Sequence, residues 1–197
     1  MLSTKTIPII TNVVCTADLG QKIDVTLLAK TPCGIYDEAI YGGRCGYVKL
    51  PDMQGRVTVF PSGKMISVGA KSTKNAQEQL HNTKHHLIRN ELAHDCEIIH
   101  TIRNIVATLD TKKSIPVDRL SSRISSAIYD PETFPGMILK GVASCSFLVF
   151  ASGKIVIAGA KSVKELNTAS FDLLERLNKT LKEIPEYGKD NSKEMRY

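Results

Sequence analysis

One stretch of this sequence occurs twice. Val57–Ser72 (Val-Thr-Val-Phe-Pro-Ser-Gly-Lys-Met-Ile-Ser-Val-Gly-Ala-Lys-Ser) returns as Phe147–Ser162 (Phe-Leu-Val-Phe-Ala-Ser-Gly-Lys-Ile-Val-Ile-Ala-Gly-Ala-Lys-Ser). Each copy reads as two apolar β-runs joined by a Ser-Gly turn, Ser62-Gly63 or Ser152-Gly153, and closed by Gly-Ala-Lys-Ser. Gly and Ser amid β-branched and aromatic residues mark a hairpin. Neither run alternates between apolar and polar residues as an antiparallel strand with one wet face does. Both faces of the resulting sheet therefore need cover, and what covers the second face is the functional question.

The rest of the chain duplicates around the hairpins. Ile9–Ala17 reads as a strand interrupted by Asn12, and Ile102–Thr108 mirrors it with Asn104. Asp24–Lys30 is a short helix stopped by Pro32 and Gly34, and Pro116–Ala127 is its counterpart, with Pro at the helix start. Ile35–Tyr47, carrying Gly42, Gly43 and Gly46, predicts a turn and a bent strand rather than a helix. A further strand follows Pro51, and Tyr129–Gly136 is the counterpart of Tyr36–Gly43. Thr73–Leu92 and Ser162–Ile184 predict longer helices that lie one-sidedly on a sheet. The apolar positions are Ala76, Leu80, His81, Leu87, Ile88 and Leu92 in the first, and Leu166, Phe171, Leu174, Leu177 and Leu181 in the second. The expected organisation is a loose leader over 1–8, a first repeat over 9–97, a second over 98–184 and a polar tail over 185–197. A unit present only twice predicts a pseudo-two-fold α+β domain rather than a solenoid.

Bulk properties narrow the function. At 197 residues and 42% hydrophobic content the chain can bury a core. A net charge of +6 and a pI near 9.0 fit an anionic partner such as nucleic acid. Five cysteines without C-x-x-C spacing fit a reducing compartment. With no signal-peptide core and no membrane-length run, the sequence predicts a soluble intracellular protein. His81 and His85 have the i, i+4 spacing of a zinc pair, but Asn82 replaces the Glu of H-E-x-x-H and no third ligand is evident. Gly-Ala-Lys-Ser lacks the upstream glycine of a P-loop, and Ser-His-Asp or Cys-His chemistry has no local support. The reading is a protein without catalytic residues, metal or other cofactor.

Two helices per repeat cover one sheet face, leaving Val14, Phe60, Val68, Val106, Phe150 and Val156 or Ala158 on the other. Such an apolar patch marks a binding surface, unless the sheet packs against a second copy of itself. Asn12 and Asn104 are lone amides among apolar strand residues; burying them is costly, whereas facing minor-groove acceptors suits them. Each repeat also carries two aromatics beside turns, Tyr41 with Phe60 and Phe134 with Phe150. Paired aromatics at the ends of an apolar sheet are what a base-unstacking minor-groove wedge requires. Arg44, Arg56, Lys64, Lys71, Lys140, Lys154 and Lys161 are candidate phosphate contacts, which fix register without reading sequence.

Asn-x-Val at Asn12–Val14 and Asn104–Val106, Tyr-Asp-Pro-Glu-Thr-Phe-Pro-Gly at Tyr129–Gly136, and Phe-x-Ser-Gly-Lys…Gly-Ala-Lys-Ser in both halves resemble the TATA-box-binding protein family over residues 9–184. The resemblance implies a saddle: a curved antiparallel sheet with helices on the convex side and double-stranded promoter DNA under the concave side. It implies that Phe134 and Phe150 intercalate at one end of the element, and Tyr41 and Phe60 at the other. Asn12 and Asn104 would sit at the central base pairs, Val14 and Val106 on the groove floor, and Val68 and Ala158 beside them. Asp130, Glu132 and Thr133 match the stirrup that docks a TFIIB-type initiation factor, through which RNA polymerase is recruited. Three departures stand out: Tyr41 replaces Phe, Tyr36–Arg56 has about three more residues than its counterpart and lacks Phe-Pro-Gly, and Val68 and Ala158 replace Thr or Ser. The short leader points to an archaeal cell, and hence the cytoplasmic nucleoid, rather than a eukaryotic nucleus. Three alternatives remain open at this level. They are a paralogue with altered promoter choice or acting as a protein-interaction module, a homodimer that covers its own face, and a binder of hydrophobic small molecules.

Overall fold

The structure, a computed structural model, describes residues 1–142 and 144–184, so the tail expected over 185–197 lies outside the described residues. The chain divides into two compact units, one spanning Ile10–Ile105 and the other joining Met1–Ile9 to the chain from Val106. In the first, β1 (Ile9–Asp18) leads through a 3-10 helix (Val25–Lys30) to β2 (Gly34–Ile35), the single helical turn α1 (Glu38–Tyr41), β3 (Gly46–Val48), β4 (Arg56–Val59), β5 (Lys64–Ala70) and α2 (Thr73–Arg89). β6 (Thr101–Asp110) begins the second pass. It is followed by α3 (Val117–Ser121), β7 (Ala127–Asp130), β8 (Phe134–Val142), β9 (Cys145–Phe150), β10 (Lys154–Ala160) and α4 (Val163–Lys182). Strand order is β2-β3-β4-β5-β1 in the first pass and β6-β10-β9-β8-β7 in the second; all four pairs of the first pass, and β10-β9, β9-β8 and β8-β7 of the second, are antiparallel.

The repeated motif explains this layout locally. Gly63 and Gly153 both adopt φ +88°, a conformation that costs glycine little, and so turn the two hairpins. At the other end, the last Ser of each Gly-Ala-Lys-Ser caps the following helix: Ser72 Oγ accepts from Asn75 N and Ser162 Oγ from Glu165 N. Strand residues then alternate. Met65, Ser67, Val57, Val59, Cys15 and Ala17 are buried on the side where Ser67 Oγ donates to Gln79 Oε1 of α2 at 2.7 Å. In the second unit Ile155, Ile157, Phe147, Val149, Met137 and Leu139 are buried in the same way.

Four expectations need correction. The Ile35–Tyr47 segment contains a helical turn, because Asp37 caps α1 by accepting from Ala39 N and Gly42 closes it in the left-handed region. Residues after Pro51 turn rather than extend, since Lys49 Nζ donates to the carbonyls of Met53, Gln54 and Gly55 and gathers that loop. α3 stops at Ser121, well before Ala127, in a serine-rich stretch that favours turns over helix. Phe171 is 50% exposed and His81 is exposed, each standing outside the buried stripes of α4 (Leu166, Ala169, Leu173, Leu177, Leu181) and α2 (Ala76, Leu80, Thr83, Leu87).

The leader, expected to be loose, is held by an amide clip. Leu2 is buried; its N–H donates to Asn178 Oδ1 at 2.7 Å and its carbonyl accepts from Asn178 Nδ2 at 2.9 Å. The first unit has the same device, in which Gln21 accepts from His94 N at 2.8 Å and donates to His94 O at 2.9 Å. Each clip satisfies two main-chain groups ahead of an incoming strand.

Asn178→Ala is expected to cost about 1–2 kcal/mol of stability by urea unfolding, at roughly 1 kcal/mol per lost hydrogen bond, with faster amide exchange at Leu2. A pH effect follows from His86 and His100. Burial, and then Arg89 for His86 and His81 for His100, hold both below the ordinary value of 6.5. The unfolded chain binds these protons more readily, so their stabilisation is complete above pH 6.5 and is lost as pH falls through the lowered folded values. Urea midpoints followed from about pH 7.5 to about 5 should fall with acid, and less steeply in a His86→Gln/His100→Gln variant.

Candidate nucleic-acid interface

The strand faces turned away from the helices carry half-buried side chains with no covering element among the described residues of their own unit. In the first repeat Thr16, Ile66, Thr58 and Tyr47 follow one another in register across β1, β5, β4 and β3. Val14, Val68 and Phe60 share this face by alternation. In the second repeat Val156, Leu148 and Ile138 form the matching row, with Ala158, Phe150 and, on β6, Val106 beside them. Asn12 and Asn104 are half-buried on the same faces. Gly69 N donates to Asn12 Oδ1 at 2.7 Å, from a glycine at φ +89°, so the NH₂ end of that amide is the end left for a ligand.

The second repeat builds its aromatic pair as the sequence suggests. Phe134 opens β8 and Phe150 ends β9, and their rings meet edge to face at 5.8 Å and 66°. Gly136 pairs with Phe150 in the sheet, and a Cβ there would lie 2.7 Å from the Phe134 ring and 3.0 Å from that of Phe150. The two rings therefore sit over a glycine floor.

The first repeat differs. Val48 pairs with Val57 as Leu139 pairs with Phe147, which fixes the correspondence. The span Tyr36–Val48 is two residues longer than Tyr129–Leu139, and Val48–Arg56 is one longer than Leu139–Ser146. The insertion raises Tyr41 onto α1, where its ring packs at 6.4 Å from Tyr36 and 5.1 Å from Tyr47. The Arg56 guanidinium in turn lies 4.3 Å from the Tyr47 ring centroid. Tyr36 and Tyr47 were not singled out in the sequence; the period-two pattern through Tyr47 is too short to display its face.

Lys64, Lys71, Lys140, Lys154, Lys161, Arg44 and Arg56 are all exposed. Lys64 and Phe60 line one cleft of about 410 Å³ with Ile66, Ile99 and Arg103, where Arg103 Nε donates to Thr16 Oγ1 at 3.0 Å. Lys154 and Phe150 line another of about 690 Å³ with Ile7, Ile9 and Val156. Ile7 and Ile9 are 78% and 70% exposed, so leader residues join this face, which the sequence reading had not assigned to them. Lys84 of α2, a helix cation by sequence, is buried, donating to Asp95 Oδ1 and Cys96 O. In the turn between β7 and β8, Asp130 accepts from Thr133 Oγ1 at 2.7 Å and from Glu132 N at 3.2 Å. The Thr133 hydroxyl chiefly, with these backbone N–H groups, holds the Asp130 carboxyl below its ordinary range.

Duplicated sheet-and-helix units, each with helices on one face and an apolar, aromatic-ended face left open, define a class of protein that works by laying the sheet on a partner. The family model for transcription factor TFIID, or TATA-binding protein, matches residues 7–88 and 99–180. A TATA-box-binding protein of Cenarchaeum symbiosum is 61% identical over 90% of this chain and 98% of its own length. That of Pyrodictium occultum is 31% identical over 86% of this chain and 85% of its own. The solved structure of Methanococcus jannaschii TBP superposes with a TM-score of 0.79 at 26% identity, covering 88% of this chain and 99% of the other. The chain belongs to the TATA-box-binding protein family, the DNA-binding factors of transcription initiation.

Gly136→Ala should force the Phe134 and Phe150 rings apart and cost about 1–3 kcal/mol, as overpacking of a buried site does. Thermal unfolding checks the loss, and ring-proton chemical shifts check the displacement.

Proposed function

We propose that this protein is a non-catalytic initiation factor that lies in the minor groove of TATA-like promoter DNA and bends it with aromatic wedges. The observation that carries the reading is the Phe134–Phe150 pair held over Gly136 at the edge of an open apolar face. A flat, apolar, rigid pair at that position can enter an opened base step, and the bent duplex then meets more of the sheet. Phe60, with Tyr41 in its tyrosine cluster, plays the corresponding part in the first repeat. Asn12 and Asn104 address base acceptors, while Val14, Val68, Val106 and Ala158 give van der Waals contact. The NH₂ end of Asn12 suits the acceptor-only A·T minor groove. Lys64, Lys71, Lys140, Lys154, Lys161 and Arg44 contact phosphates, giving a salt-dependent affinity.

The turn Asp130–Thr133 docks a TFIIB-type factor and, through it, RNA polymerase. Its support is an ionised Asp130 in a turn braced by its own hydrogen bonds, which presents Glu132 outward at fixed geometry. The named relatives are archaeal, which supports a site of action at the nucleoid of an archaeal cell. Among the described residues no helix is long and apolar enough to cross a membrane.

The test is a gel-shift and FRET bend assay on a TATA-box duplex and on one with every T·A pair replaced by C·I, which changes the major groove and leaves the minor-groove surface nearly intact. Equal binding with a strong bend is expected, and Phe134→Ala and Phe150→Ala should remove the bend. Absence of binding to either duplex at low salt, even with a TFIIB-type factor present, would overturn the reading.

A further inference from the structure

The two repeats offer chemically different faces, and the difference is concentrated at one side chain. Arg56 and Ser146 occupy the same repeat position: Arg56 pairs in register with Val68, and Ser146 with Ala158. Tyr47 likewise corresponds to Ile138, since Tyr47 pairs with Thr58 and Ile138 with Leu148. In the second repeat the matching pair Ser146–Ala158 is uncharged and is followed in register on β8 by the exposed Lys140, while the first repeat carries a guanidinium laid on a tyrosine ring at 4.3 Å. The ring is itself buttressed, with Tyr41 edge-on at 5.1 Å and Tyr36 behind Tyr41 at 6.4 Å.

An exposed arginine bound for phosphate has no need of such a platform. Among the described residues no aromatic ring lies under Arg44, Lys64, Lys71, Lys140, Lys154 or Lys161. Stacking over an aromatic face holds the cation down and fixes its plane, here above the apolar sheet. No hydrogen bond among the described residues uses the Arg56 guanidinium, so its fork of donors is uncommitted. The minor-groove edge of an A·T pair offers only acceptors, whereas a G·C pair adds the guanine amino group, a donor that opposes a guanidinium.

We propose that Arg56, backed by Tyr47, reads base edges at one end of the DNA element and makes the two repeats unequal in their rejection of G·C. The proposal rests on the minor-groove reading above. It assigns Arg56 to the bases, where the sequence suggested phosphate.

The test is fluorescence-anisotropy titration of the whole protein, as wild type, Arg56→Ser and Arg56→Lys, on TATA-box duplexes. In these an A·T pair at either end is exchanged for G·C or for I·C, which lacks the amino group. The wild type should lose about tenfold more affinity for G·C at one end than at the other and recover it with I·C. Both variants should lose most of that discrimination at one end only, with the other end serving as the internal control for folding. Lysine keeps the charge but not the planar fork, so wild-type discrimination in Arg56→Lys would overturn the proposal in favour of a role for the charge alone. Unchanged discrimination in both variants would overturn it while leaving the minor-groove reading intact. A wild type that binds none of the duplexes would overturn both.

Discussion

The structure depends on a hairpin tip pressed against the exit of the preceding strand, made twice. In the first repeat Leu19 N donates to Gly63 O and Ile23 N to Pro61 O, each at 3.0 Å. In the second, Thr111 N donates to Gly153 O at 3.0 Å and Ile115 N to Ala151 O at 2.9 Å. The approach is so close that a Cβ on either glycine would stand 2.1 Å from a main-chain oxygen, that of Gln21 or Lys113. The same glycine N–H then returns to Phe60 O or Phe150 O at 2.9 Å. One contact thus sets how β5 or β10 follows its hairpin and where the tip aromatic and the following lysine stand. The Ser-Gly-Lys motif is first of all a positioning device.

This accounts for what could be read from the chain beforehand. The hairpins, the long helices and the uncovered face follow from short-range patterning and from glycine at a position only glycine fills, so the repeat was visible in the residues. What escaped the reading depends on partners far apart in sequence. Lys84 looks like one more helix cation until Asp95 and the Cys96 carbonyl bury it. Phe171 looks like core because it is apolar, yet Leu173 and Leu174 take the buried positions and leave it half-exposed. Leu2 looks like part of a loose leader because its holder, Asn178, is at the far end of the chain.

The candidate site divides along the same line. Phe-Pro-Gly in the second repeat encodes ring, bend and floor contiguously, and Phe134, Gly136 and Phe150 stand together as the motif implies. The first repeat has no such contiguous code. Its extra residues lift Tyr41 onto a helical turn, and Cys45 falls at the repeat position of Gly136, where a side chain now projects. Aromatic surface is kept, but as a tyrosine cluster with polar ends and a cation rather than as two bare phenyl rings. The halves have diverged most where they need not fill the same volume, and least at the hairpin tip, where backbone meets backbone.

The two amide clips show how far that divergence can go without loss of form. Gln21 reaches from a loop and Asn178 from a helix, and the residues they hold, His94 and Leu2, share no chemistry in their side chains. Because each clip grips only main-chain N–H and C=O, it places no demand of its own on the held side chain, and the holder can migrate between elements of the fold. A duplicated gene can therefore drift until its halves scarcely align while their architectures still coincide. In such proteins kinship between halves persists longer in the pattern of main-chain hydrogen bonds than in the letters of the sequence.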